Sequence, residues 1–523
     1  MNRTAVIDVV GLTEVLIGSH TPKIAEFLRR GAKAHIVPAF PAVTCTAQSN
    51  YLTGKPPSGH GVVANGWYNR ELAEVQFWKQ SNHLVHGRKI WDELRALDPK
   101  FTCAKLFWWY NMYSSADYSI TPRPMYPADG RKVFDIYTWP HSIRAGIKQD
   151  LGEFPFPCFW GPGAGVDTPQ GSADAVSRWI AESAKWIENK YQPTLNLVYL
   201  PHLDYNLQRH GPYSTDRGLP GRSGSESGAV GVESRVVLAG GAAAGREASA
   251  PASEAASNPQ FPSSGRIGDG SLNPALHRDL QQIDTIVGDL ISFFQSRSIQ
   301  VLLLSEYGIT NVDTPIHLNR LFREKGWISV KDEIGLELLD YGASKVFAVA
   351  DHQIAHIYLN DHSLENKVRE LLESTPSVQG VLSQPGKREM RIDHLRAGDL
   401  IAVASEHAWF TYYYWLDDRI APDFARCVDI HRKPGYDPVE LFLDPEIPLV
   451  KLKILWKLFK KKLGFRMLMD VIPLDATLVK GSHGCRPAST TDWPIFVAQQ
   501  PSMLVKSQID STDVHELIKQ VVR

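Results

Sequence analysis

Cysteine is scarce. The 523 residues hold five (Cys45, Cys103, Cys158, Cys427 and Cys485), scattered and odd in number. That excludes a disulfide framework and suits free thiols in a reducing compartment. Net charge is also nearly absent, with 56 Lys and Arg against 57 Asp and Glu. No bulk field favours nucleic acid, and none is predicted as a partner. No uncharged apolar run reaches transmembrane length. Nor does a basic-then-apolar leader precede the first apolar run, which begins directly after Met1-Asn2-Arg3. The expectation from these absences is a cytoplasmic protein. Its composition is that of an ordinary globular chain, with length for two or more domain-sized units.

Aromatic residues nearly vanish from residue 213 to 271, where Gly, Ser, Ala and Pro dominate. Such a stretch cannot bury enough apolar surface to offset its ordering entropy, so a disordered insertion is expected there. The chain then divides into core pieces at 1–212, 272–345 and 475–523, the insertion at 213–271, and a cap or insert of different texture at 346–474.

What is present is alternation. Thr4 to Val10, Ala34 to Val37, Cys103 to Trp108, Leu195 to Leu200 and Ile299 to Leu304 are short apolar runs, typical of strands buried on both faces. Helical periodicity marks Pro22 to Arg30, Lys89 to Leu97, Ala173 to Tyr191 and Asn273 to Gln295. Alternating strands and helices predict an α/β fold around a mostly parallel sheet. In such sheets ligands bind beyond the carboxyl ends of the strands. Asp8, Asp204 and Glu306 fall at or just past such ends. The cap holds an aromatic run, Trp409 to Trp415, and a lysine-rich stretch, Val450 to Phe465. The latter reads as a solvated helix face, with a membrane-surface role as the other reading.

The centre of the pattern is Phe40-Pro41-Ala42-Val43-Thr44, running on to Leu52-Thr53-Gly54 and Gly59-His60-Gly61. Proline pushes Phe40 out of the helical region, and a helix comes next. Thr44 therefore stands at a helix N-terminus, where unpaired N–H groups favour an alkoxide or a phosphate. Taken alone, Thr44 or Thr46 reads as a simple cap. Asp8, Asp204 and Glu306 on the same sheet end change that, because unpaired carboxylates there would repel one another. They argue for divalent cations. Two would balance three carboxylates and one alkoxide and would support in-line phosphoryl transfer. Trp67, Tyr68, Trp109 and Tyr110 could wall a substrate pocket.

With His483 in Gly481-Ser482-His483-Gly484, Gly211-Pro212 after Asp204, and the Ser305-x-x-Gly308 turn, the sequence resembles the alkaline phosphatase superfamily. It looks most like the branch of nucleotide pyrophosphatase/phosphodiesterases and phosphonoacetate hydrolase. The resemblance implies an alkaline phosphatase-like sheet sandwiched by helices, carrying an inserted cap and the disordered insertion. It implies Thr44 as nucleophile bridging two divalent metal ions, zinc by resemblance. Asp8 and Glu306 would hold one ion, and Asp204 and His483 the other. The substrate would be a phosphorylated small molecule.

Three departures stand out. Tyr307 and Gln208 occupy two ligand positions where the family has histidine, and Ala47 replaces the asparagine three residues after the nucleophile. Gln48, Asn65 and Asn111 are the candidate substrate-binding amides in its place. Lost imidazole favours Mg²⁺ or Mn²⁺ over zinc, and a tyrosinate would suit ferric iron. His202, His352, His356 and His407 are possible substitute ligands, each singly a structural candidate as well. One reading is a metal-dependent hydrolase acting through a phosphothreonine. The other is a catalytically weakened or inactive relative that binds a phosphorylated metabolite or a partner protein. Cys45 as nucleophile ranks below both, since nothing nearby supplies a base.

Overall fold

Runs that are apolar on both faces must be covered on both faces, and the central sheet is built from them. The computed structural model describes residues 1–129, 131–215 and 270–523. Its main sheet has nine strands: β1 (Thr4–Val9), β2 (Ala32–Val37), β3 (Cys103–Leu106), β4 (Tyr118–Pro122), β5 (Ile136–Trp139), β6 (Leu195–Leu200), β7 (Gln300–Leu304), β8 (Ile495–Ala498) and β9 (Gln508–Asp510). The spatial order is β9-β2-β8-β7-β1-β6-β3-β4-β5. All run the same way except β8 and β5. Every residue of β1 and β6 is buried, as their unbroken apolar reading requires.

Five helices cover the sheet or carry side chains to its strand ends: α1 (Pro22–Arg30), α2 (Thr44–Thr53), α3 (Ala175–Tyr191), α4 (His202–His210) and α5 (His277–Gln295). The long helix expected from Asn273 is broken at its start. Pro274–Leu276 is a 3₁₀ turn capped by the Asn273 side chain, and α5 begins after it. The main hydrophobic core is formed by β1, β6, β7 and the inner faces of α3 and α5.

The region after 345 forms a second core around a four-stranded antiparallel sheet: Val346–Asp351, Ile354–Leu359, Leu400–Ala404 and Val378–Leu382, in that spatial order. The aromatic run is its filling. Trp409, Tyr412, Tyr413, Tyr414 and Trp415 are all buried. This second core also takes in Ile316, Leu318 and Phe322, and a short parallel ladder between Thr314–Ile316 and Ala408–Phe410 runs within it.

The expected disordered insertion lies almost wholly outside the described residues. One of its bounds needs correction: Tyr213, counted with the insertion for its Gly-rich sequel, is buried and pairs antiparallel with Leu272. Its backbone N–H donates to Asn311 Oδ1 at 3.0 Å. A phenol ring is the kind of apolar surface that is scarce in the rest of the stretch.

Candidate active site

The carboxyl ends of β1, β6 and β7 bring Asp8, Asp204 and Glu306 to one place. Asp8 is the fifth residue of β1, beside Leu304 of β7 in register. Glu306 comes two residues after β7. Asp204 is not in a loop, as a strand-end reading suggests; it sits in the first turn of α4, where a carboxylate suits the helix dipole.

Thr44 is the first residue of α2, and the N-cap is Val43, which offers no side-chain cap. The simple capping role is thereby excluded for Thr44. Thr46 is structural, its hydroxyl donating to the Val62 carbonyl at 3.3 Å. All ten residues of α2 are buried, so its polar side chains need partners. Gln48 donates to Glu306 Oε1 at 2.6 Å and accepts from the Trp109 N–H at 2.7 Å. Asn65 accepts from the Cys45 N–H at 3.0 Å and donates to Asp351 at 3.1 Å.

Thr44 lines a cleft together with Asp204, Tyr307, His352, His483 and Asn65. Its opposite wall is aromatic: Trp78, Trp109, Phe159, Trp160 and Tyr436. The Thr44 hydroxyl lies 3.2 Å from the Tyr307 hydroxyl, which donates to Asp204 Oδ1 at 3.1 Å. With its own proton directed at Asp204, the Tyr307 oxygen is free to accept the Thr44 proton. Gln208, one helical turn after Asp204, donates to its other oxygen at 2.8 Å and accepts from Tyr436 at 2.9 Å. Burial raises Asp204 to about 7 against the lowering effect of the Tyr307 and Gln208 hydrogen bonds.

His483 lies flat on Tyr307, ring centroids 3.6 Å apart at 8°. Its Nδ1 is 2.7 Å from the Ala42 carbonyl. His352 continues the stack, 3.7 Å from His483 on one side and 3.7 Å from Tyr436 on the other. Its Nδ1 is held by Asp351 at 2.8 Å, while Nε2 is buried without a partner. Burial lowers both imidazoles well below their ordinary values, so they are neutral.

Behind Thr44, off the cavity wall, lie Asp8 and Glu306. Both Asp8 oxygens and Glu306 Oε2 are buried with no hydrogen-bond donor. Burial raises both carboxyls, Asp8 well above the carboxylate range and Glu306 to about 7, and for Asp8 the neighbouring Glu306 charge adds to it. The Thr44 hydroxyl is within hydrogen-bonding reach of Glu306. Three orphaned oxygens beside a hydroxyl form a donor set that a hard dication satisfies. Asp8, Glu306 and Thr44 therefore fit one of the two cations implied by the resemblance. The Asp204 side does not fit the second. Its carboxylate already receives two protein hydrogen bonds, and Gln208 presents an N–H₂ to it rather than a lone pair. Among the described residues no group of three or more His, Cys, Asp and Glu side chains is gathered to hold a metal ion.

Two expected substrate amides are corrected. Gln48 and Asn111 do not line the cavity. Gln48 is committed as above, and the Asn111 amide donates to the Lys105 and Ile120 carbonyls at 2.8 and 2.9 Å. Both place the Trp109 wall, helped by buried Lys105, whose ammonium donates to the Trp109 and Tyr110 carbonyls. Asn65 does line the cavity. Of the spare histidines, His352 is in the site. His202 sits beside Asp279, His356 bonds the Val63 carbonyl, and His407 approaches Ser377. Cys45 is fully buried, and burial raises its thiol well above the ordinary value, which leaves no thiolate. Missed by sequence reasoning were Tyr436 and the Trp78 and Trp160 wall. The signal for His352 was available, since Asp351-His352 is a carboxylate ending a buried strand, as Asp8 is.

No curated protein matches the sequence. Among solved structures, murine ectonucleotide pyrophosphatase/phosphodiesterase 5, inactive and in complex with AMP, superposes with a TM-score of 0.52 at 12% identity, covering 100% of this chain and 95% of that one. The human form gives 0.52 at 13% identity, covering 99% and 94%. Phosphonoacetate hydrolase from Sinorhizobium meliloti 1021 with phosphonoformate gives 0.53 at 12% identity, covering 100% and 96%. Those likenesses establish the fold, a mixed α/β body around a mostly parallel sheet. The sequence itself matches the family "Type I phosphodiesterase / nucleotide pyrophosphatase" over residues 4–437, so the chain belongs to that family and is a phosphodiesterase/pyrophosphatase-like hydrolase.

Proposed function

We propose that the chain hydrolyses a phosphodiester or pyrophosphate bond in a phosphorylated small molecule, with Thr44 as nucleophile. The observation that carries this reading is the hydrogen-bond line from Thr44 through Tyr307 to Asp204. Thr44 Oγ1 attacks phosphorus as its proton passes to Tyr307 and the Tyr307 proton passes to Asp204. Asp204, raised to about 7, is matched to accept a proton near neutral pH. The bond from phosphorus to the leaving oxygen breaks and a phosphothreonine forms. Water then cleaves that ester: its oxygen joins phosphorus, its lost proton balances through solvent the one taken up by the leaving oxygen, and the line runs in reverse to return the Asp204 proton to Thr44.

The positive end of the α2 dipole favours the phosphoryl charge beside Thr44, while the Cys45 N–H is held by Asn65. A divalent cation held by Asp8, Glu306 and Thr44 would supply positive charge next to the reacting group, and its oxygen donors suit Mg²⁺ or Mn²⁺. Trp78, Trp109, Trp160 and Tyr436 offer stacking surface to a flat or apolar substituent. The murine neighbour's complex with AMP supports a phosphorylated ligand of that shape, and its threonine-to-alanine form is inactive. The hydrogen bonds that Tyr307 and Gln208 make favour an active site over a merely binding one, because Tyr307 builds a proton path where imidazole is lost and Gln208 holds Asp204 at its end.

The test is turnover on a panel of phosphodiesters and pyrophosphates with Mg²⁺, Mn²⁺ and Zn²⁺. Thr44→Ala should lower the rate by about 10³-fold or more. Acid-quenched parent protein should carry phosphate on Thr44 by mass spectrometry. Near-parental turnover in folded Thr44→Ala protein overturns the assignment.

A further inference from the structure

The helix Val450–Lys462 has no buried residue. Leu452, Leu455, Trp456, Phe459 and Leu463 recur at steps of three and four, so they share one face. That face is turned to solvent: Leu455 is 62%, Trp456 56% and Phe459 51% exposed. Large apolar side chains gathered this way mark a contact surface, whereas scattered ones need no explanation. The chain continues the patch through Phe465 and Leu468, both exposed.

The opposite side of the helix is fastened. Val450 and Ile454 pack against the second core, and Lys453 and Lys457 both reach Asp470. The apolar stripe is therefore held outward by the fold.

Charge identifies the occupant. Ile447 to Met469 contains no carboxylate. Lys451, Lys460, Lys461, Lys462 and Arg466 flank the stripe, and none forms a carboxylate pair among the described residues. A second copy of this face would bring the same cations against one another. An apolar stripe containing Trp and Phe, rimmed by cations, fits an anionic lipid surface, where the rings enter the acyl boundary and the ammonium groups meet the headgroups. No helix among the described residues is long and apolar enough to cross a membrane. We propose that Val450–Lys462 is an interfacial helix that docks this protein on anionic bilayers.

The test is co-sedimentation of the full chain with vesicles of phosphatidylcholine alone and of phosphatidylcholine mixed with phosphatidylserine. The parent should bind the anionic vesicles at least about ten-fold more tightly, and added salt should weaken that binding. W456E/F459E should lose about ten-fold or more, and K460E/K461E/K462E should lose the preference for anionic lipid. All substituted side chains are exposed, and matched thermal unfolding confirms intact variants. No binding of the parent to anionic vesicles overturns the proposal, as does binding unchanged in W456E/F459E. A parent dimer that W456E/F459E converts to monomer also overturns it, because the covering surface is then a second copy.

Discussion

Asp8, in β1, and Asp204, in the first turn of the helix that follows its neighbour β6, are both buried carboxylates, yet their surroundings are opposite. Asp204 receives Tyr307 and Gln208, one on each oxygen. Asp8 receives no donor at all, and the nearest carboxyl, Glu306, has one orphaned oxygen of its own. One half of the site completes itself with protein hydrogen bonds, and the other is complete only with a proton or a cation. The difference comes from two residues. Where the family resemblance expects imidazole, Tyr307 and Gln208 supply donors, and a donor satisfies a carboxylate where an imidazole lone pair would share a metal with it.

The largest effect expected from this asymmetry is at Asp8. Asp8→Asn should abolish divalent-cation binding and lower turnover by about 10²-fold or more. Isothermal titration with Mn²⁺ and steady-state rates measure both. Unchanged cation affinity would mean that the orphaned oxygens are not the ligands. Next comes Tyr307→Phe, which removes the hydroxyl between Thr44 and Asp204. It should lower kcat by roughly 10- to 100-fold with little change in KM, because the lost contact serves proton transfer rather than binding. A KM effect alone would break the proton line and leave Tyr307 as a wall.

The metal preference gives a smaller, sharper test. Tyr307→His with Gln208→His replaces both donors beside Asp204 by imidazole. Zinc affinity should then rise by roughly ten-fold, and a second bound ion should become detectable by chelator competition. Unchanged affinity in a folded double variant would mean that these two side chains do not face a cation.

How much of this was legible in the sequence varies by element. The strands β1 and β6 were, because a strand covered on both faces is a continuous apolar run. Thr44 was, because Phe40-Pro41 and the polar helix after it fix a strand-to-helix transition. The roles of Gln48 and Asn111 were not. Gln48 is spent on the Glu306 carboxylate and the Trp109 N–H, and Asn111 on the Lys105 and Ile120 carbonyls; backbone partners leave no trace in side-chain spacing. The cavity wall was legible only in part: Trp109 was seen, but Tyr436 and Trp160 reach the site from segments far apart in the chain, brought together by the second core. The stack of Tyr307, His483, His352 and Tyr436 is of the same kind. No residue of the four predicts it from its neighbours in sequence.

The smallest expected effect is on stability, and it isolates the comparison from catalysis. In chelator, Asp8→Asn replaces a carboxyl that has no donor by an amide whose N–H₂ can reach the orphaned Glu306 oxygen. That removes one buried unsatisfied acceptor and pairs another, so unfolding free energy should rise by roughly 1 to 3 kcal/mol. Asp204→Asn does the reverse to a satisfied group. The introduced N–H₂ must face either the Tyr307 hydroxyl proton or the Gln208 amide, donor against donor, and this offsets the relief of burying less charge. Its effect should stay within about 1 kcal/mol. Added Mn²⁺ should stabilise the parent and Asp204→Asn but not Asp8→Asn, since binding to the folded state alone raises stability. Urea unfolding with and without the ion measures all three. Equal gains from the two substitutions in chelator would show that the halves of the site are not differently satisfied, and the single-cation reading would fall with that.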